Sequence, residues 1–144
     1  MLKGKQPVSY THLLLLAFST MSVVFAEPSD SEITPYYDNT IDAKASFSIS
    51  SGGYATGTLR YSANSNFTRA TIYSYIEKKV GSSWMRVYNG QSSNQWVDSS
   101  YSASFQTSHS IQLASTGNYR FCVEFHMYGS KPTDTIITYA YANY

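Results

Sequence analysis

A single cysteine, Cys122, stands in a chain of 144 residues. One thiol closes no internal disulfide, so a disulfide scaffold is excluded and apolar burial must hold the fold. Charge is also scarce: ten Lys and Arg face nine Asp and Glu, for a formal net charge of +1. Without a basic excess the chain has no electrostatic footprint for nucleic acid or an anionic membrane surface, and neither is expected as a partner. Only His109 and His126 fall after the first 26 residues, and neither has Cys, Asp or Glu at ligand spacing, so no metal or cofactor is expected. The patterns G-x-S-x-G, H-E-x-x-H and a Gly-rich phosphate loop are missing as well. Helical periodicity is absent after residue 26: no window repeats apolar residues at i, i+3 and i+4. A parallel α/β sheet is thereby excluded, because it needs crossover helices to cover its faces.

What the chain does have begins with its leader. Lys3 and Lys5 form a basic start, Leu13 to Phe25 run almost without polarity, and Val24 and Ala26 supply small residues ahead of Glu27 and Pro28. Those three parts in that order define a secretory signal peptide over residues 1–26. The apolar run is short for a membrane span, which takes about 20 residues, so no membrane insertion is expected after cleavage. No cysteine follows the cleavage position, which argues against a lipid anchor. Export without disulfides fits a bacterial cell better than an endoplasmic-reticulum product. The expected compartment is extracellular and the expected form a monomer. Residues 27–40 are polar, carry Pro28 and Pro35, and predict a flexible leader to one domain over residues 41–144.

From residue 41 the apolar period is two. Ala43, Ala45, Phe47 and Ile49 share one face, and Ala55, Gly57, Leu59 and Tyr61 another, with Ser51-Gly52-Gly53 as the turn between them. Residues 69–79 place Ala70, Ile72, Ser74 and Ile76 inward; a turn at Val80-Gly81-Ser82-Ser83 leads to a hairpin partner at 84–88. Residues 89–100 read as a long connection or an edge strand. Residues 101–113 are extended, with Ala103, Phe105, Ile111 and Leu113 inward. The clearest alternation is Tyr119, Phe121, Val123, Phe125 and Met127 against Arg120, Cys122, Glu124, His126 and Tyr128. A last strand covers 133–141. About seven strands with regular turns predict an all-β fold: an antiparallel β-sandwich of immunoglobulin- or fibronectin-like Greek-key type. Cys122, on the face opposite the core, is expected to matter little to folding.

Leu113, Gly117 and Tyr119 have the spacing of a tyrosine corner, in which the phenol bonds back to the backbone across a turn between strands. Trp84, directly after a turn, is expected in the core. With Ile49 to Gly57, Tyr75 to Trp84 and Thr116 to Phe121 in that order, the chain resembles small secreted single-domain β-sandwich proteins of Clostridia-type Gram-positive bacteria, a family of unknown function. The resemblance implies a fold and a compartment and brings no catalytic residues. The sequon Asn66-Phe67-Thr68 would go unused in such a host.

Catalysis has little to rest on. Glycoside hydrolysis needs two carboxylates at a defined separation, and pairing Asp38, Asp42 or Asp98 with Glu77 is suggested by no spacing in the chain. His126 and Glu124 read as a solvated strand face. The distinctive excess is aromatic: 14 tyrosines. Tyrosine favours strands, and it also gives binding surfaces large contact area at low entropy cost. Tyr73, Tyr75 and Tyr128 lie on polar strand faces and are the candidate ligand-binding residues, for a glycan or the cell wall. The alternative is a protein partner met by an adhesin-like or bacteriocin-like factor. No enzymatic activity is expected. If the leader is read correctly, mass spectrometry of the exported protein finds Glu27 as the first residue; intact Met1 in the medium contradicts it.

Overall fold

A computed structural model describes residues 37–144; the expected signal peptide and most of the expected leader lie outside the described residues. Eight strands follow in chain order: β1 Thr40–Ile49, β2 Tyr54–Ala63, β3 Phe67–Val80, β4 Ser83–Arg86, β5 Trp96–Ser100, β6 Ser104–Gln112, β7 Asn118–Gly129 and β8 Asp134–Asn143. They form two antiparallel sheets. The first is three-stranded, β1-β2-β6. The second is five-stranded, β4-β3-β7-β8, with β5 also on β3. β4 and β5 share one edge of β3: β4 pairs with residues 77–80 and β5 with residues 70–74. Among the described residues no helix is long and apolar enough to cross a membrane.

The sheets pack face to face as a β-sandwich because each central strand alternates. Leu59 and Tyr61 of β2 meet Ile72 and Ile76 of β3 and Phe121, Val123, Phe125 and Met127 of β7 in one buried cluster. The closest approach lies at Gly57. A Cβ there would stand 2.5 Å from the Phe121 ring, so only glycine lets that ring lie on the β2 backbone. Phe47 stacks on the same ring from β1, with centroids 6.1 Å apart. Each large buried side chain of this kind contributes on the order of 1.5–3 kcal/mol.

The turn from β6 to β7 is closed by the Tyr119 hydroxyl, which donates to the Ser115 carbonyl at 2.5 Å. Gly117, at φ +149, makes the corner between them, and Lys78 Nζ reaches Ser115 Oγ at 2.7 Å. The domain begins earlier than residue 41. Asp134 Oδ1 and Oδ2 accept the backbone N–H groups of Asp38 and Asn39, and Oδ2 also accepts the Thr40 hydroxyl at 2.8 Å. Residues 37–40, expected in the leader, are therefore tied to the start of β8. Three donors on one carboxylate outweigh the polarity that marked this stretch as loose. Asn66, the sequon residue, uses Nδ2 to bond the Asp38 carbonyl.

Two urea melts test the packing. Gly57→Ala drives a methyl into the Phe121 ring and is expected to destabilise the domain by about 2–3 kcal/mol. Tyr119→Phe removes one hydrogen bond and is expected to lose about 1 kcal/mol. Equal midpoints for Gly57→Ala and the unaltered chain would refute the close approach.

Candidate functional site

The outer face of the five-stranded sheet gathers six aromatic side chains among charged ones: Tyr73, Tyr75, Trp84, Tyr128, Tyr139 and Tyr141. Its rows follow from register. Tyr75, Cys122 and Tyr139 stand side by side across β3, β7 and β8, and Glu77, Arg120 and Tyr141 form the next row. Tyr73, Glu124 and Ile137 form a third. All three candidate tyrosines lie on this face, but their rings are covered rather than presented. The Arg86 guanidinium sits 3.9 Å above the Tyr75 ring and Arg69 4.3 Å above Tyr128. Tyr73 meets His126 edge-on at 5.5 Å, and His126 Nε2 lies 2.7 Å from Glu124 Oε1. His126 also separates Tyr128 from Tyr73 on this face, so the three rings form no continuous row.

One expectation is corrected here, for Trp84, and one is given more detail, for Cys122. Trp84 is not in the core. The two-residue turn sets Trp84 opposite Lys79, and that register turns the indole to the outer face. There Arg120 covers it at 4.5 Å and Tyr141 meets it at 5.9 Å. Cys122 does point away from the core, yet it is 1% exposed. Its in-register neighbours Tyr75 and Tyr139 and the adjacent Glu77–Arg120 pair close over the small thiol. Arg120 Nε and Nη2 both lie 2.6 Å from Glu77 Oε2, and the thiol donates to that same oxygen at 3.3 Å. Burial, reinforced by the Glu77 charge, pushes the thiol up from about 9 to about 12. Burial likewise raises the Tyr75 phenol, with Arg86 pulling the other way.

The rings that this face does present are on β8. Tyr141 is 62% exposed, and Tyr139 is 46% exposed although the Arg120 guanidinium lies 4.6 Å over one side of its ring. They are two residues apart, so the rings stand roughly 7 Å from each other along the strand. Trp84 extends the row from Tyr141. The sequence reading passed over these two because the last strand is apolar at both parities. A signal was present nonetheless: Ala140 and Ala142, in phase with each other, are the small partners that large Phe121 and Tyr119 need opposite them, which sends Tyr139 and Tyr141 outward.

The carboxylates are not brought together. Asp42 pairs with Lys44 and Arg60 on the outer face of the three-stranded sheet, Glu77 pairs with Arg120 on the opposite side of the molecule, and Asp38 lies at the start of β1. Asp98 points between the sheets. Its Oδ2 lies 2.7 Å from His109 Nε2, and Trp96 stacks on the imidazole at 4.7 Å with 5° between planes. This clasp joins β5 of one sheet to β6 of the other at the open side of the sandwich. Among the described residues no three His, Cys, Asp or Glu are grouped to hold a metal ion. The outer face of the three-stranded sheet bears small hydroxyls: Thr56 bonds Ser110 at 2.9 Å and Thr58 bonds Ser108 at 2.7 Å. Comparison with protein-family models, with curated proteins and with solved structures returns no match.

The thiol gives a pH prediction. In the unfolded chain Cys122 ionises near its ordinary value, and in the fold only near about 12. Above pH ~8.5 the unfolded state therefore loses its proton first, and stability falls as pH rises. A thiol reagent at pH 8 is expected to label Cys122 only after denaturant is added; fast labelling of the folded protein contradicts the burial.

Proposed function

We propose that the protein is an exported, non-enzymatic binding module that holds a glycan on the outer face of its five-stranded sheet. The observation that carries this reading is the pair of partly exposed rings Tyr139 and Tyr141, with Trp84 beside them, on the face where Tyr73, Tyr75 and Tyr128 are covered. Sugar rings stack their C–H faces on such aromatic rings, which combine apolar area with a polar tip. A polar partner for hydroxyls stands one row from Tyr139 in Glu124, which lies opposite Ile137. The centre of the site is thus β8, with Tyr73, Tyr75 and Tyr128 as the packed floor.

The strand order supports an immunoglobulin- or fibronectin-like Greek key, with β1, β2 and β6 on one sheet and β3, β7 and β8 on the other, joined through the β6–β7 corner. Such sandwiches leave a sheet face free for ligands. The extracellular compartment follows from the pattern of residues 1–26 and from the resemblance to secreted proteins of Gram-positive bacteria. A protein partner is the second reading. Exposed Ile137 and Val97 on the same face favour it.

The test is retention on insoluble polysaccharide: cellulose, chitin, xylan and purified peptidoglycan. The double change Tyr139→Ala, Tyr141→Ala is expected to abolish retention in a protein that still folds, with a melting temperature lowered by roughly 4–8 °C per kcal/mol of lost contact between Tyr139 and Arg120. Retention by the folded double variant would rule out this surface. Absence of retention by the unaltered protein would leave the protein-partner reading standing in its place.

A further inference from the structure

The connection between β4 and β5 spans residues 87–95, and it leaves and rejoins the same edge of β3. Val87 N–H donates to the Ile76 carbonyl at 2.9 Å, and Trp96 then pairs with Ser74. The excursion therefore stands at the level of Tyr75. Arg86 brings its far end onto the outer face. The guanidinium carbon stands 3.9 Å over the Tyr75 ring, and Nη1 donates to the Ser93 carbonyl at 3.0 Å and to Gln95 Oε1 at 3.1 Å. The backbone it holds is unusual. Ser93 and Asn94 are both left-handed, at φ 57 and 52, and they are the non-glycine residues with positive φ among the described residues. Two such residues in succession persist only where the surroundings over-determine them, and strain of this kind collects at ligand clamps.

The position of this segment relative to β8 follows from register. Tyr139, Cys122 and Tyr75 form one row, so Tyr139 and Tyr75 are two strand spacings apart, roughly 10 Å, about the length of two pyranose rings. Arg86 and residues 93–95 stand at the far end of that row. The segment is rich in amides and hydroxyls: Gln91, Ser92 and Ser93 are exposed, and Asn94 and Gln95 half so. Among the described residues Asn89 Nδ2 is a buried donor without a partner.

We infer that residues 91–95 form a polar rim that reads the hydroxyls of a glycan stacked on Tyr139 and Tyr141, and that Arg86 is its positioning residue. The inference rests on the glycan reading above. The rings supply contact that discriminates weakly among sugars, because every pyranose has a C–H face. The rim supplies directed hydrogen bonds, and a rim group left unpaired by the wrong sugar penalises that sugar. Arg86 acts through reach: its Cζ stands over the Tyr75 ring while a terminal nitrogen beyond it, Nη1, holds both acceptors, whereas the single nitrogen of an ammonium cannot occupy both places at once.

Affinity electrophoresis through gels holding hydroxyethyl cellulose, xylan, laminarin or glycol chitin tests the rim. The unaltered protein is expected to rank these polysaccharides over at least a tenfold range in affinity. Arg86→Met is expected to compress that range to about threefold or less, with residues 89–95 newly open to limited proteolysis and the melting temperature little changed. Arg86→Lys is expected to behave like Arg86→Met. An unchanged ranking in Arg86→Met, or a ranking restored by Arg86→Lys, overturns the inference while the glycan reading stands. If the unaltered protein is retarded by none of the four, or the Tyr139→Ala, Tyr141→Ala variant is retarded as strongly as the unaltered protein, the glycan reading itself fails and the rim falls with it. Should Arg86→Met fail to fold, the ranking of Arg86→Lys decides.

Discussion

The Phe121 ring lying on the bare backbone of Gly57 sets the spacing of the two sheets, and much else depends on it. Phe121 belongs to β7, which is paired along its length with β3 on one side and β8 on the other. Once its ring is seated against β2 and stacked by Phe47, β7 cannot slip by one residue without turning every apolar side chain to the wrong face. Its pairing with β3 and β8 is thereby fixed, and so is the composition of the outer face. Tyr75 beside Cys122 beside Tyr139, and Glu77 beside Arg120 beside Tyr141, are consequences of a register held from the inside.

The outer face is closed by charge and ring rather than by apolar packing. Guanidinium groups lie on Tyr75, Trp84, Tyr128 and Tyr139. Each such contact contributes about 0.5–1 kcal/mol where exposed and more where desolvated. Arg120 is neutralised by Glu77, and burial of the thiol beneath them follows. Tyr139 and Tyr141 rise from this layer at the edge of the sheet, and the segment after β4 rises at the opposite edge. A face of this kind has a packed floor and two borders with different chemistry, one aromatic and one amide-rich.

Much of this was legible from period alone. Strict alternation in residues 43–49, 55–61 and 119–127 places core and outer side chains correctly, because a side chain's face in a strand depends only on parity. Leu113, Gly117 and Tyr119 point to the corner through their spacing. Other features depend on register, which parity does not encode. Trp84 faces outward because its turn holds two residues; one more would have turned it inward. Cys122 was placed on the correct face, but its burial comes from neighbours on two other strands. Asp98 and His109 face each other between the sheets because β5 and β6 lie on opposite sheets at the same open side. The run Trp96-Val97-Asp98-Ser99-Ser100 has no alternation that would announce this. Residues 37–40 look like a leader until Asp134, far along the chain, supplies their acceptor.

The central claim is that ligand meets the protein on the outer face of the five-stranded sheet, between the edge strand β8 and the rim after β4. Chemical-shift mapping of backbone amides with soluble cello-, xylo- and chito-oligosaccharides tests it most directly. The account predicts that at least one of these shifts the amides of Tyr139, Tyr141 and residues 91–95 together, while the amides of β1, β2 and β6 stay unmoved. Shifts confined to the hydroxyl-bearing face of the three-stranded sheet, or no shifts at millimolar sugar, would contradict it.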